Sequence, residues 1–208
     1  MFVKDVMNPK VITVSPDDSI AKLVSLMTEN VYEAIPVKSN GKVAGMVTAW
    51  DILSNLPKMS QDYLETSKVR DIMSTKVVTV SPDEIVEMAA YYMYFHDLDA
   101  LPVTDDKNEL QGIITESDLF RTFVTMLGLR TKGTRITLDV PDRPGVLADI
   151  TKVVKECGVS IASLATYTPP EKRRGNVILR VKSVHVKQLV DALVQAGFYV
   201  VHVSQVWE

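Results

Sequence analysis

Cysteine is almost missing from this 208-residue chain: Cys157 stands alone. A lone thiol excludes an intrachain disulfide and fits a reducing, cytoplasmic setting. Long apolar runs are missing too. None approaches the roughly 18 residues that cross a bilayer, and the opening MFVKDVMNPK lacks the apolar stretch of a secretory signal. No membrane partner is expected. Hydrophobic residues are 46% and charged residues 24% of the chain, which excludes a largely disordered or collagen-like protein.

The net charge is only −3, but it is unevenly spread. Residues 1–130 hold 12 Lys+Arg against 19 Asp+Glu, a net of −7, and residues 131–208 hold 11 against 7, a net of +4. All nine methionines lie at or before Met126. The two regions differ enough to suggest separate domains. Neither is basic enough to indicate a nucleic-acid partner.

An internal repeat organises the first region. VKDVMNPKVITVSPDD from Val3 lies over VRDIMSTKVVTVSPDE from Val69, an offset of 66 with 10 of 16 positions identical. The offset persists at Ala34-Ile35-Pro36-Val37 over Ala100-Leu101-Pro102-Val103. It becomes 67 at Gly45-Met46-Val47-Thr48 over Gly112-Ile113-Ile114-Thr115. The extra residue falls among turn-forming residues, where insertions belong. Each copy predicts a β-α-β-β-α unit. Residues 11–14 read as a short strand, and Ile20, Leu23, Val24 and Met27 mark one helical face. Strands follow at 35–37 and 43–48, with a helix from about Asp51. One face of so small a sheet stays bare unless the second copy covers it.

The paired D-V-M/D-I-M, V-I-T-V/V-V-T-V, A-I-P-V/A-L-P-V and G-M-V-T-A-W-D/G-I-I-T-E-S-D blocks resemble a tandem pair of CBS domains, a Bateman module, over about residues 3–127. The expected boundaries are 1–60 and 61–130.

Thr48 with Asp51, and Thr115 with Asp118, fall where a strand passes into a helix. The free amides and partial positive charge of a helix start favour phosphate. A Thr hydroxyl there can donate to a phosphate oxygen, and an Asp can accept from ribose hydroxyls. The other reading is helix capping, for which Thr and Asp are ordinary choices. Apolar residues around Val14, Ile35, Val80 and Leu101 are the expected walls for a flat base, and Gly45 and Gly112 permit close backbone approach. Many relatives carry a basic residue between Thr and Asp. Here Ala49-Trp50 and Glu116-Ser117 intervene, and Glu116 would repel a phosphate unless a metal or arginine stands between. Lys10, Lys76, Arg121 and Arg130 are the candidate counter-charges. The resemblance implies a regulatory adenosine ligand, AMP, ADP or ATP or a related compound. The acidic surroundings favour one of low charge or one bound to Mg. His96-Asp97-Leu98-Asp99 fits no strong metal motif and reads as a solvated loop. Tyr91, Tyr92 and Tyr94 lie in a helical stretch and read as packing residues.

After a short polar linker at 128–133, the remaining residues predict β-α-β-β-α-β, the ferredoxin-like order. Pro141-Asp142-Arg143-Pro144-Gly145 breaks the first strand and opens a helix marked by Val146, Leu147, Ile150, Val153 and Val154. L-D-V-P-D-R-P-G-V-L-A-D-I, with G-V-S-I after the helix, resembles the ACT domain over about residues 134–206; the expected domain is 134–208. That resemblance implies a small effector, often an amino acid, at an interface between two ACT domains. Amides near Gly145 and Val146 can hold a carboxylate. Asp142 can meet an ammonium or cap the helix, and Ser160 stands where relatives often line the site. Lys172-Arg173-Arg174 reads as a solvated loop and Cys157 as structural.

The fold expected is therefore α+β, a CBS pair followed by a ferredoxin-like ACT domain. The order of domains resembles the CBS–ACT family that includes acetoin-utilisation proteins. It implies a non-catalytic regulatory protein with no catalytic cofactor, a homodimer through its ACT domain, acting on a protein target. A nucleotide-processing enzyme and a nucleic-acid-binding regulator are the competing classes. No nucleophile–base pair, metal signature or Walker-type loop appears for the former.

Overall fold

The computed structural model describes residues 1–55, 57 and 60–206. The expected boundary near residue 60 adjoins residues 56, 58 and 59, which lie outside the described residues, as do residues 207 and 208 of the expected third domain. The chain divides into two compact units, Met1–Phe120 and Arg121–Glu208.

In the first unit the repeat folds twice. Copy one has α1 (Ile20–Asn30), β1 (Ala34–Ser39), β2 (Lys42–Thr48), α2 (Ala49–Asn55) and α3 (Gln61–Thr66). Copy two has α4 (Val86–His96), β3 (Ala100–Thr104), β4 (Leu110–Thr115) and α5 (Glu116–Met126), the last running past Phe120. The helix α3 has no counterpart in the sequence reading. Each pair of strands is an antiparallel hairpin. The expected strand at residues 11–14 shrinks to one parallel bridge, Val14 to Val37, mirrored by Val80 to Val103. Ser15-Pro16-Asp17 forms a turn, and α1 starts later, capped by the Ser19 hydroxyl, which accepts from Lys22 N–H. Leu23, Met27, Ile35, Val37, Val47 and Val69 close a core around Val14. On the opposite sheet faces, Met46 meets Ala100 and Ile113, with Val11, Ala34 and Val77 beside them. Each copy thereby covers the face the other leaves bare.

The opening segments are exchanged between copies. Asn8, at the head of copy one, exchanges two backbone hydrogen bonds with Ile113 of copy two (2.8 and 3.0 Å). Ser74, at the head of copy two, exchanges two with Met46 of copy one (both 2.9 Å). Gly45 and Gly112 are required here: a Cβ at Gly45 would lie 2.9 Å from the Ser74 carbonyl, and one at Gly112 3.1 Å from that of Asn8.

The second unit contains β5 (Gly133–Pro141), α6 (Val146–Glu156), β6 (Ile161–Tyr167), β7 (Arg174–Val181), α7 (Lys187–Gln195) and β8 (Tyr199–Val206). Its sheet runs β6-β7-β5-β8, every neighbour antiparallel. This is the ferredoxin-like arrangement. Ile136, Leu138 and Val140 from β5 join Ile150 and Val154 from α6 and Leu189 and Leu193 from α7 in one core, with Cys157 packed against it.

Candidate functional site

The first unit holds a cavity of about 420 Å³. Copy one supplies Ala34, Met46, Thr48, Trp50 and Asp51. Copy two supplies Ser74, Lys76, Val77 and Val78, the turn Asp97-Leu98-Asp99, and Ala100 and Pro102 of β3. The exchange of opening segments is what brings Lys76 beside the Thr48 motif. By the same repeat, the segment carrying Lys10 joins β4, which leads to Thr115 and Asp118. Cavities of this size with mostly apolar walls and a few polar groups are the usual form of small-molecule sites.

Thr48 N and Oγ1 both donate to Asp51 Oδ2 (2.7 Å each), and Asp51 N donates to Thr48 Oγ1 (3.2 Å). Both side chains are half-buried. The second motif repeats this closely: Thr115 N and Oγ1 donate to Asp118 Oδ2 (3.1 and 2.7 Å), and Asp118 N donates to Thr115 Oγ1 (3.2 Å). The capping reading is therefore realised in both motifs. At Asp51 the cap engages only Oδ2.

Of the residues expected around a nucleoside, the cavity joins Thr48, Asp51 and Lys76. Thr115, Asp118, Lys10 and Arg121 do not line it. The expected walls Val14, Ile35, Val80 and Leu101 do not line this cavity; they are 0–3% exposed and lie inside the core. Strand side chains alternate between faces. The cavity side of each strand is the neighbouring residue, Ala34 rather than Ile35, and Ala100 and Pro102 rather than Leu101. The turn Asp97-Leu98-Asp99, expected to be a solvated loop, also lines the cavity. Its place was hidden because residues 31–33, the equivalent of 97–99 in the repeat, have a different sequence. Asp97 caps α4 in the left-handed conformation (φ 55°). Among the described residues no cluster of three or more His, Cys, Asp and Glu can hold a metal.

The second unit holds a cleft of about 470 Å³ at the start of α6, lined by Asp142, Gly145 and Val146 and by Arg143, Thr166, Thr168 and Asn176. Gly145 occupies the N-cap position with φ 84° and makes no side-chain cap. Asp142 is exposed and does not cap the helix. Arg143 instead ties the turn to α6 through Asp149 (2.7 Å). Ser160 precedes β6, where its carbonyl accepts from Lys182 N–H (2.9 Å), and it does not line the cleft. Arg174 is not part of a solvated loop; it begins β7 and pairs with Asp139 (3.0 Å).

Among the described residues, no helix is long and apolar enough to cross a membrane. The CBS-domain profile matches residues 3–58 and 69–125, and the profile of the TTHA0829-like ACT domain matches residues 132–204. The homoserine O-acetyltransferase of Methanococcoides burtonii is 40% identical over 120 residues, 57% of this chain but 23% of that protein. The chain thus spans about a quarter of the length of such curated relatives. A CBS pair of protein MJ0100, solved with 5'-methylthioadenosine and S-adenosyl-L-methionine, is 29% identical with a TM-score of 0.53, covering 59% of this chain and 95% of that one. CBSX2 in complex with AMP is 26% identical with a TM-score of 0.53, covering 59% and 96%.

Proposed function

We propose that this chain, which belongs to the CBS-domain family and carries an ACT domain behind its CBS pair, is a non-catalytic regulator that binds an adenosine compound in the cavity beside Thr48 and Asp51. The observation that carries this reading is Asp51, with only Oδ2 bonded to Thr48, in the lining of a cavity of mixed polar and apolar residues built from both copies. A carboxylate there suits two ribose hydroxyls, Val77, Ala34 and Met46 suit the faces of a base, and Lys76 suits a single phosphate. Solved CBS pairs similar to this one hold AMP, methylthioadenosine or S-adenosylmethionine. Asp97 and Asp99 at the rim weigh against ADP or ATP unless Mg accompanies them.

The ACT domain receives a small amino-acid-like effector in the cleft at α6, its carboxylate toward the first turn and its ammonium toward Asp142. Two chains pair through the exposed edge of β8, where Tyr199 and Val201 are bare. The protein acts on a protein target in a reducing, cytoplasmic compartment, and its CBS–ACT domain order supports a role in acetoin utilisation. Domain limits of 1–60, 61–130 and 134–208 complete the proposal.

Thermal unfolding and calorimetry with AMP, ADP, ATP, methylthioadenosine and S-adenosylmethionine, with and without Mg, test the nucleoside reading. A ligand at 100 times its dissociation constant stabilises by about 2.7 kcal/mol, or several degrees for a chain of this size. No shift and no heat with any of them overturns it. Binding that survives Asp51→Ala puts the ligand elsewhere.

A further inference from the structure

Four residues form one row across the sheet of the second unit. β6 pairs with β7 at Ser163 and Arg180, β7 with β5 at Arg180 and Arg135, and β5 with β8 at Arg135 and Ser204. Directly opposed residues on neighbouring strands project from the same face, so Ser163, Arg180, Arg135 and Ser204 share one side of the sheet. The next residue of β5, Ile136, projects from the other side into the core with α6 and α7. The row therefore lies on the face away from the helices.

Arg180 is 4% exposed, and its Nη1 has no hydrogen-bond partner among the described residues. Backbone roofs it. Ser163 Oγ donates to the Leu127 carbonyl (2.7 Å), and a Cβ at Gly128 would come within 3.1 Å of Arg180 Cδ. Its neighbour Arg135 donates through Nη1 to Thr137 Oγ1 (2.6 Å), a neutral acceptor. No carboxylate among the described residues is ion-paired with either arginine. Burial, and then the Arg135 charge, hold the Arg180 pKa below its ordinary value, yet a guanidinium stays charged in proteins. Two adjacent cations, one of them buried, are costly without a counter-charge.

We propose that Arg180 and Arg135 form the core of an oxyanion site that takes a small carboxylate or phosphate. Guanidinium forks match these groups bidentately and prefer them to a spherical halide. Ser204 adds a hydroxyl at the open end of the row. The site is separate from the α6 cleft, none of whose lining residues belongs to it.

Thermal unfolding of the full chain, at constant ionic strength held with chloride, is read while sodium phosphate or sodium acetate replaces chloride. The midpoint rises with the logarithm of anion concentration. A rise with phosphate alone identifies phosphate, and a rise with acetate identifies a carboxylate. Arg180→Met abolishes the rise and is no less stable than the parent in chloride. Arg135→Gln weakens the anion by at least about tenfold, the loss expected from one bidentate pair, and gives an independent reading if Arg180→Met does not fold. No rise above chloride overturns the proposal. So does a rise that survives Arg180→Met, or one that is lost in Asp51→Ala, since that anion sits in the nucleoside cavity.

Discussion

Thr48 and Asp51 grip each other through three hydrogen bonds that use only one of the two carboxylate oxygens. Capping and ligand binding are thus compatible roles for the same residue. Removing the carboxylate has two separable effects. In the ligand-free protein, Asp51→Ala and Asp118→Ala each cost about 1 kcal/mol, the typical worth of a cap, and lower the unfolding midpoint by roughly 2–4 °C. Only Asp51→Ala also abolishes nucleoside binding in the cavity. Denaturation with and without ligand separates the two effects, and an Asp118→Ala variant that loses binding as well counts against the assignment of the cavity.

The exchanged opening segments make Gly45 and Gly112 the tightest points of the repeat. A Cβ at Gly45 would press on both the Met73 sulfur (2.8 Å) and the Ser74 carbonyl, and the sulfur alone can move aside. Gly45→Ala therefore disturbs the Met46–Ser74 bridge and destabilises by about 1–3 kcal/mol, the usual scale of overpacking. Because Ser74 and Lys76 line the cavity, ligand affinity falls as well. Gly112→Ala destabilises to a similar degree through Asn8 and leaves affinity in the cavity largely intact. Chemical denaturation paired with calorimetry measures both outcomes.

The repeat, both T-x-x-D motifs and the order of elements were legible because they are local patterns at a fixed offset. The exchange was not. An offset of 66 is the same whether the segment at Asn8 packs on its own copy or on the other. The wall residues fall outside the cavity for a different reason. Ile35 and Leu101 are apolar and lie close to the motif, but a period of two makes the face of a strand residue depend on register. Sequence alone does not say which side is core. In the second unit, Arg135 of β5 and Arg180 of β7 carried no signal. Only strand pairing sets Arg135 beside Arg180.

Trp50 provides an optical readout. It lines the cavity, is 73% exposed, and is one of two tryptophans in the chain. A bound base near the indole shields it from water, so emission shifts to shorter wavelength or is quenched as ligand is added. Trp50→Phe removes the change while calorimetric binding persists. A change of equal size in that variant would mean that the signal comes from elsewhere in the chain.

Asp18 gives the first unit an acid-sensitive joint. Its Oδ2 accepts from Ser15 N–H (2.8 Å) and from Lys22 Nζ (2.9 Å), and its carbonyl accepts from Val69 N–H at the head of copy two (2.9 Å). Burial pushes its pKa up, but the Ser15 amide and the Lys22 ammonium outweigh that and hold it below the ordinary value. A carboxyl with a lowered folded pKa adds stability above its unfolded pKa, near 4, and loses it as pH falls through the folded value. The parent therefore loses stability below about pH 4, where Asp18→Asn, which has no proton to take up, loses less. Above pH 5 the parent is the more stable because it keeps the Lys22 pair. Copy two has Glu84 at the equivalent position and Met88 in place of Lys22, so the effect belongs to one joint alone. Urea denaturation of both proteins between pH 3 and 7 tests this, and parallel curves across the whole range would remove Asp18 as the source of the acid limb.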